Sequence, residues 1–126
     1  MLSDKEVMAT VAVKDIEVAR AFYQDKLGLE PTDGDQPTDV LSYKCGKSTL
    51  LVYESRYAGT NQATAATWVV GDDVKGAAQA LKGKGVRFEH YDFPDTTRDG
   101  DVHVFGDLKA AWFKDPDGNI LSIVSG

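Results

Sequence analysis

Two kinds of hydrophobic spacing alternate along the chain. Residues 8–13 are apolar-rich and turn acidic at Asp15 and Glu17; residues 66–70 do the same before Asp72 and Asp73, about 58 positions later. Each run then gives way to helical spacing. Ile16, Ala19, Phe22, Tyr23 and Leu27 recur at intervals suited to one helix face, as do Val74, Ala77, Ala78 and Leu81. Asp15 and Asp73 stand where a side-chain oxygen caps a first turn, and Gly28, Gly83 and Gly85 stand where a helix stops. Strand-like runs follow each helix: 28–31, 40–44 and 48–55 in the first half, then 86–91, 101–105 and Leu108–Lys114 in the second. A last run, Ile120–Val124, returns after a turn at Asp115-Pro116-Asp117-Gly118. There Pro116 presets the second turn position, Asp115 can bond the backbone ahead, and Gly118 is free to take positive φ.

Each half therefore reads βαβββ. Two copies are too few for a solenoid. They predict an α+β fold in which two tandem βαβββ modules form curled mixed sheets around a shared cleft. The expected boundaries are about 5–57 for the first repeat and about 64–126 for the second, with a polar, small-residue linker over about 58–63. Residues 93–100 are too polar for core and read as a mobile edge or lid.

At 126 residues the chain is one domain, or two small halves sharing a core. A net charge of −6 argues against nucleic acid and anionic membrane as partners, because both demand basic patches. No apolar run approaches the roughly 18 residues that span a bilayer, and the N-terminus lacks the features of a signal peptide. The single cysteine, Cys45, has no internal partner for a disulfide, which suits a reducing compartment; the expected location is cytoplasmic.

The duplicated pattern resembles the vicinal oxygen chelate superfamily, which includes glyoxalase I, extradiol dioxygenases, fosfomycin resistance enzymes and bleomycin-resistance proteins. The resemblance rests on Val13-Lys14-Asp15-Ile16-Glu17 through Phe22-Tyr23, on Leu27-Gly28-Leu29, and on Val70-Gly71-Asp72-Asp73-Val74. Gly85-Val86-Arg87-Phe88 and Phe113-Lys114-Asp115-Pro116-Asp117-Gly118-Asn119 complete it, and together these cover nearly the whole chain. It implies a single glyoxalase/bleomycin-resistance-like domain that often forms homodimers, sometimes by exchanging modules between chains.

Fold alone does not carry function. The resemblance places metal ligands on the first strand of each half, late in the first half and on the final strand. Counted from the helix-capping Asp residues, the first two positions fall at Met8 and Ala66; the third falls at Leu50 or Val52, and the last at Ser122. A catalytic Zn, Ni or Fe(II) site needs about three N or O donors and an open position. Thioether, methyl, aliphatic and hydroxyl groups do not supply that, so no metal and no cofactor is expected. His90 and His103 flank Asp92, Asp95, Asp99 and Asp101, but their spacing matches no compact metal motif.

Period-two alternation from the same positions assigns a cleft of Met8, Thr10, Val52, Ala66, Trp68, Ala110, Trp112 and Ser122. Trp68 and Trp112 would be its flat walls, suited to planar or cationic ligands, or else filler in a collapsed cleft. Three functions stay open. The favoured one is metal-independent binding of a small molecule. The second is a metal-free lyase, isomerase or hydrolase drawing on Glu54, His90, His103 or tyrosines as acid–base groups. The third is an interaction module whose cleft has closed.

Overall fold

The computed structural model describes residues 1–32 and 40–126. After a short turn at Leu2–Asp4, strand β1 (Ala9–Val13) leads into helix α1 (Ile16–Arg20). The Asp15 carboxylate accepts hydrogen bonds from the Glu17 and Val18 amides and so caps the exposed donors of the first turn. The helix continues as a wider π-helical segment over Ala21–Lys26, where the Leu27 amide reaches back to the Phe22 carbonyl at 3.0 Å. It stops at Gly28, whose φ of 72° suits glycine. Strands β2 (Glu30–Pro31), β3 (Val40–Cys45) and β4 (Ser48–Glu54) complete the first sheet in the order β1-β4-β3-β2, with β1 parallel to β4.

The second half repeats the plan. Strand β5 (Thr64–Val69) leads to α2 (Val74–Gly83), capped by Asp73, which accepts from the Gly76 amide. Strands β6 (Phe88–Glu89), β7 (Thr97–Asp99), β8 (Val102–Phe105), β9 (Leu108–Lys114) and β10 (Ile120–Val124) follow. The sheet order is β5-β10-β9-β8-β7, with β6 beside β9, and β5 is parallel to β10. Two mixed sheets with a helix on one side of each are the α+β, two-module architecture expected.

Three expected elements differ in extent. The run 28–31 shrinks to Glu30–Pro31 because Gly28 ends the helix. The run 86–91 shrinks to Phe88–Glu89 because the Tyr91 amide leaves the ladder for the His103 ring. Within 93–100, Thr97–Asp99 pairs with β8 and forms the sheet edge.

Each sheet turns one face to its helix. Val11, Val13, Leu50 and Val52 pack under Phe22 and Tyr23, while Phe113, Leu121 and Ile123 pack with Val74 and Ala78. Tyr43 is fully buried, so its phenol is pushed up to about 12; its hydroxyl donates to Gln24 Oε1 at 3.0 Å.

The turn between β9 and β10 joins the halves. Asp115 is buried. Its Oδ1 accepts from the Asp117 and Asn119 amides, and its Oδ2 accepts from Asn119 Nδ2 at 2.8 Å and Tyr23 Oη at 2.7 Å. Asn119 Nδ2 also donates to the Ala12 carbonyl at 2.7 Å, and the Lys14 amide donates to Asp117 Oδ2 at 3.2 Å. Gly59, at φ 73°, lies so close to the Asp117 carbonyl that a Cβ there would collide with it.

Candidate functional site

Side-chain direction on β9 decides which residues face the helix and which face away. Ala111 and Phe113 are buried in the core, so Ala110 and Trp112 point to the opposite, outer face. Register carries that face across the sheet: Trp112 stands beside Ser122 of β10 and Glu89 of β6, and Ala110 stands beside His103 of β8. Ser122 in turn stands beside Thr67 of β5, and their hydroxyls bond each other at 2.7 Å.

The outer face of the second sheet carries an aromatic cluster. Around Trp112 lie the rings of His103 at 5.0 Å, Tyr91 at 5.6 Å, Phe93 at 5.6 Å and Phe105 at 6.2 Å, between centroids. Phe93 also contacts Phe105 at 5.4 Å. The indole N–H donates to Thr64 Oγ1 at 3.2 Å and fixes the ring. A recess of about 360 Å³ opens here, walled by Tyr91, Phe93, Trp112 and Ile120 with Gln62 and Thr64 at its polar side. That mixture of flat apolar walls and few polar groups suits a small organic molecule.

His103 is 1 % exposed. Its Nε2 accepts the Tyr91 amide at 3.0 Å, so the neutral ring carries its proton on Nδ1, and Nδ1 has no hydrogen-bond partner. Burial holds the imidazole below the ordinary histidine range, aided by the charges of His90 and Arg98 and opposed by the adjacent Ala110 and Tyr91 backbone. His90 is more open, and its Nε2 meets Asp101 Oδ1 at 2.7 Å. The bonds from His90 and Lys82 hold the Asp101 carboxyl below its usual range.

The expected cleft divides between two faces. Thr10 lies on the outer side of β1, and Met8 precedes the strand, half exposed. Val52 is wholly buried on the inner side beside Val11, so it does not share a cleft with them. Ala110, Trp112 and Ser122 do share the outer face of the second sheet. Ala66 and Trp68 do not: Ala66 is in the core, and Trp68 stacks on Phe113 at 6.4 Å. The physical reason is the length of one connection. A single residue, Lys14, separates β1 from its cap Asp15, whereas Val70, Gly71 and Asp72 separate β5 from Asp73. Counted back from the cap, core-facing residues fall at even offsets in the first half (Val13, Val11). In the second they fall at odd offsets (Val70, Trp68, Ala66). Thr67, not Ala66, is therefore level with Ser122.

Trp68 lines a different recess of about 290 Å³ on the helix side, with Leu27, Leu29, Ala77 and Leu81. Glu54 is exposed at the end of β4 in the first sheet, while His103 is on β8 of the second and His90 follows β6 in the second half. His90 and His103 come within 6.4 Å, ring to ring. Counting from the caps missed Tyr91, Phe93 and Phe105. The alternation His103–Phe105 on β8 was the available signal, since it puts both rings on one face.

The side chains at the positions where the resemblance expects metal ligands do not fit a transition metal. Met8 offers a thioether and is half exposed. On β4 the expected positions, Leu50 and Val52, are aliphatic and buried in the core, and on the outer face Thr67 and Ser122 offer neutral hydroxyls that already bond each other. Among the described residues, no three His, Cys, Asp or Glu side chains converge.

A family model described as the glyoxalase/bleomycin resistance protein/dioxygenase superfamily matches residues 7–123. Solved structures share the fold. Lactoylglutathione lyase from Agrobacterium tumefaciens superposes with a TM-score of 0.72 at 20% identity, covering 98% of this chain and 94% of that one. A glyoxalase/bleomycin resistance protein from Catenulispora acidiphila gives 0.69 at 22% identity, covering 96% and 97%. The genomically encoded fosfomycin resistance protein FosX from Listeria monocytogenes gives 0.66 at 18% identity, covering 100% and 93%. No curated protein matches the sequence. A match over nearly all of the chain, on a fold of two βαβββ modules, places this protein in the glyoxalase/bleomycin resistance protein/dioxygenase superfamily.

Proposed function

We propose that this chain binds a small planar molecule, neutral or cationic, without a metal, on the outer aromatic face of the second sheet. The observation that carries the reading is Trp112, fixed through its N–H to Thr64 and surrounded by Tyr91, Phe93 and Phe105 at the mouth of a recess. Flat rings of this kind favour stacking with planar or cationic ligands. Metal independence is supported by the donor set: a thioether and two self-satisfied hydroxyls stand where imidazole and carboxylate would be needed.

A homodimer, with modules paired within or between chains, fits the family, and the lone Cys45 fits a cytoplasmic setting. A second reading, acid–base catalysis without metal, draws on the His90–Asp101 pair at 2.7 Å beside the aromatic cluster.

Calorimetric titration with 9-aminoacridine, a planar cation, and naphthalene, a planar neutral compound, tests the binding reading. Trp112→Ala is expected to weaken binding by about tenfold or more, from lost stacking and lost apolar area, while Trp68→Ala keeps it. Equal loss in both variants, or failure of either compound to bind, counts against the site. A stoichiometric transition metal in natively purified protein would overturn the metal-free reading.

A further inference from the structure

Among the described residues, one buried side-chain nitrogen or oxygen lacks a hydrogen-bond partner: Nδ1 of His103. The other buried polar side chains, Asp115, Asn119 and Ser122, are all bonded. An unpaired buried donor is costly, so its persistence in an otherwise satisfied fold calls for an explanation. The Tyr91 amide occupies Nε2 and thereby commits the proton to Nδ1. The ring's neighbours are Trp112, Tyr91 and Phe93, at 5.0, 6.2 and 6.0 Å. His103 thus belongs to the same aromatic cluster as Tyr91, Phe93 and Trp112, which wall the recess, though it does not line the recess itself.

Phe93 is the member of that cluster best able to move. It is 39% exposed and lies in no strand, in the turn between β6 and β7. The turn is held by a bond from Thr96 Oγ1 to the Phe93 carbonyl, and Asp95 within it has φ 58°. Its ring packs on His103, Phe105 and Trp112 together. A planar ligand taking the place of the Phe93 ring would lie against Trp112 and within reach of His103.

We infer that His103 is the specificity-determining residue of this site: its Nδ1–H donates to a hydrogen-bond acceptor on a planar ligand that displaces Phe93. The ligand class is an aromatic or conjugated molecule with a ring nitrogen or carbonyl oxygen at its edge. This inference rests on the proposal that the outer aromatic face is the binding site, and it narrows the ligand from any planar molecule to an acceptor-bearing one.

Quinoline and naphthalene make the test, because they share shape and differ by one acceptor nitrogen, and quinoline is neutral at neutral pH. Wild-type protein is expected to prefer quinoline by about tenfold. In His103→Gln the amide oxygen can still accept from the Tyr91 amide, while the Nδ1–H is gone. The preference, read as the ratio of the two affinities in the same variant, is expected to vanish there. If both compounds bind and the preference is absent in the wild type, or persists in H103Q, the inference fails and the binding site stands. If neither binds, both fail together. The wild-type protein gives a second readout that needs no variant: the His103 Nδ1–H resonance is expected to shift with quinoline and stay with naphthalene. An unmoved resonance in the quinoline complex overturns the inference.

Discussion

Burial gives His103 a signature that acid reveals. The imidazole is neutral and wrapped in rings, with His90 and Arg98 as its charged neighbours, and its pKa is lowered in the fold. The unfolded chain, with a histidine near about 6.5, takes up the proton first as pH falls. Unfolding is then linked to proton uptake, so stability drops as pH falls below about 6.5. Asp101 has the opposite charge and a different window: its lowered pKa contributes stability that is lost only as pH falls below about 4. Urea midpoints should therefore decline between pH 7 and pH 5, and H103Q should flatten that decline. A parallel decline in the variant would move the cause elsewhere. Little of this was legible beforehand. His103 falls in the strand-like run 101–105, but it follows the polar segment 93–100, and only pairing with β9 makes it interior. Asp15 and Asp73 were legible because capping is local chemistry, complete within one helical turn.

At the scale of elements, helices and strands emerged from spacing, and faces did not. A helix face tolerates an error of one residue, since its apolar stripe is broad. A strand face does not, because its period is two and a slip of one exchanges the sides. Trp112 shares a face with Ser122 because the two strands of the hairpin lock each other in register; the face of Trp68 depends on the length of the connection to Asp73. The linker adds a constraint that composition hid. Residues 58–63 read as a polar, small-residue linker, yet Ala58 is buried and Gly59 presses on the Asp117 carbonyl. Gly59→Ala combines a left-handed backbone with a collision and should cost about 2 kcal/mol or more. Thermal unfolding would show it, with Gly46→Ala as the control. That position has positive φ too, but a Cβ there meets nothing within 4 Å, so a loss as large as that of Gly59→Ala would remove the collision as the cause.

Across the whole molecule, the halves are joined by polar groups as well as by packing. Tyr23 comes from the first helix, and Asp115 and Asn119 from the last turn; Asn119 reaches the end of β1. Burial and the nearby carboxylates raise the Tyr23 phenol well above its usual range, so it stays a donor. Tyr23→Phe removes one bond to a carboxylate that keeps three others, and about 1–2 kcal/mol is expected. Asp115→Ala strands the phenol and the Asn119 amide together, and about 3 kcal/mol or more is expected. The double variant should lose less than the sum, because both act on one network. Additive losses in urea titrations would show that the network is not a unit. In a dimer built by exchanging modules, the same bonds would have to form between chains.

The unequal connections into the two helices make β5 unusually sensitive to changes in chain length. Most insertions or deletions in a connection are absorbed locally. Removing one residue between Val69 and Asp73, with the helix held in place, would instead advance every side chain of the strand by one step. The indole of Trp68 would move to the outer face, and the hydroxyl of Thr67 would be driven into the core. One lost codon would thus exchange the two faces of a whole strand, changing at once the surface beside Ser122 and the packing beneath α2.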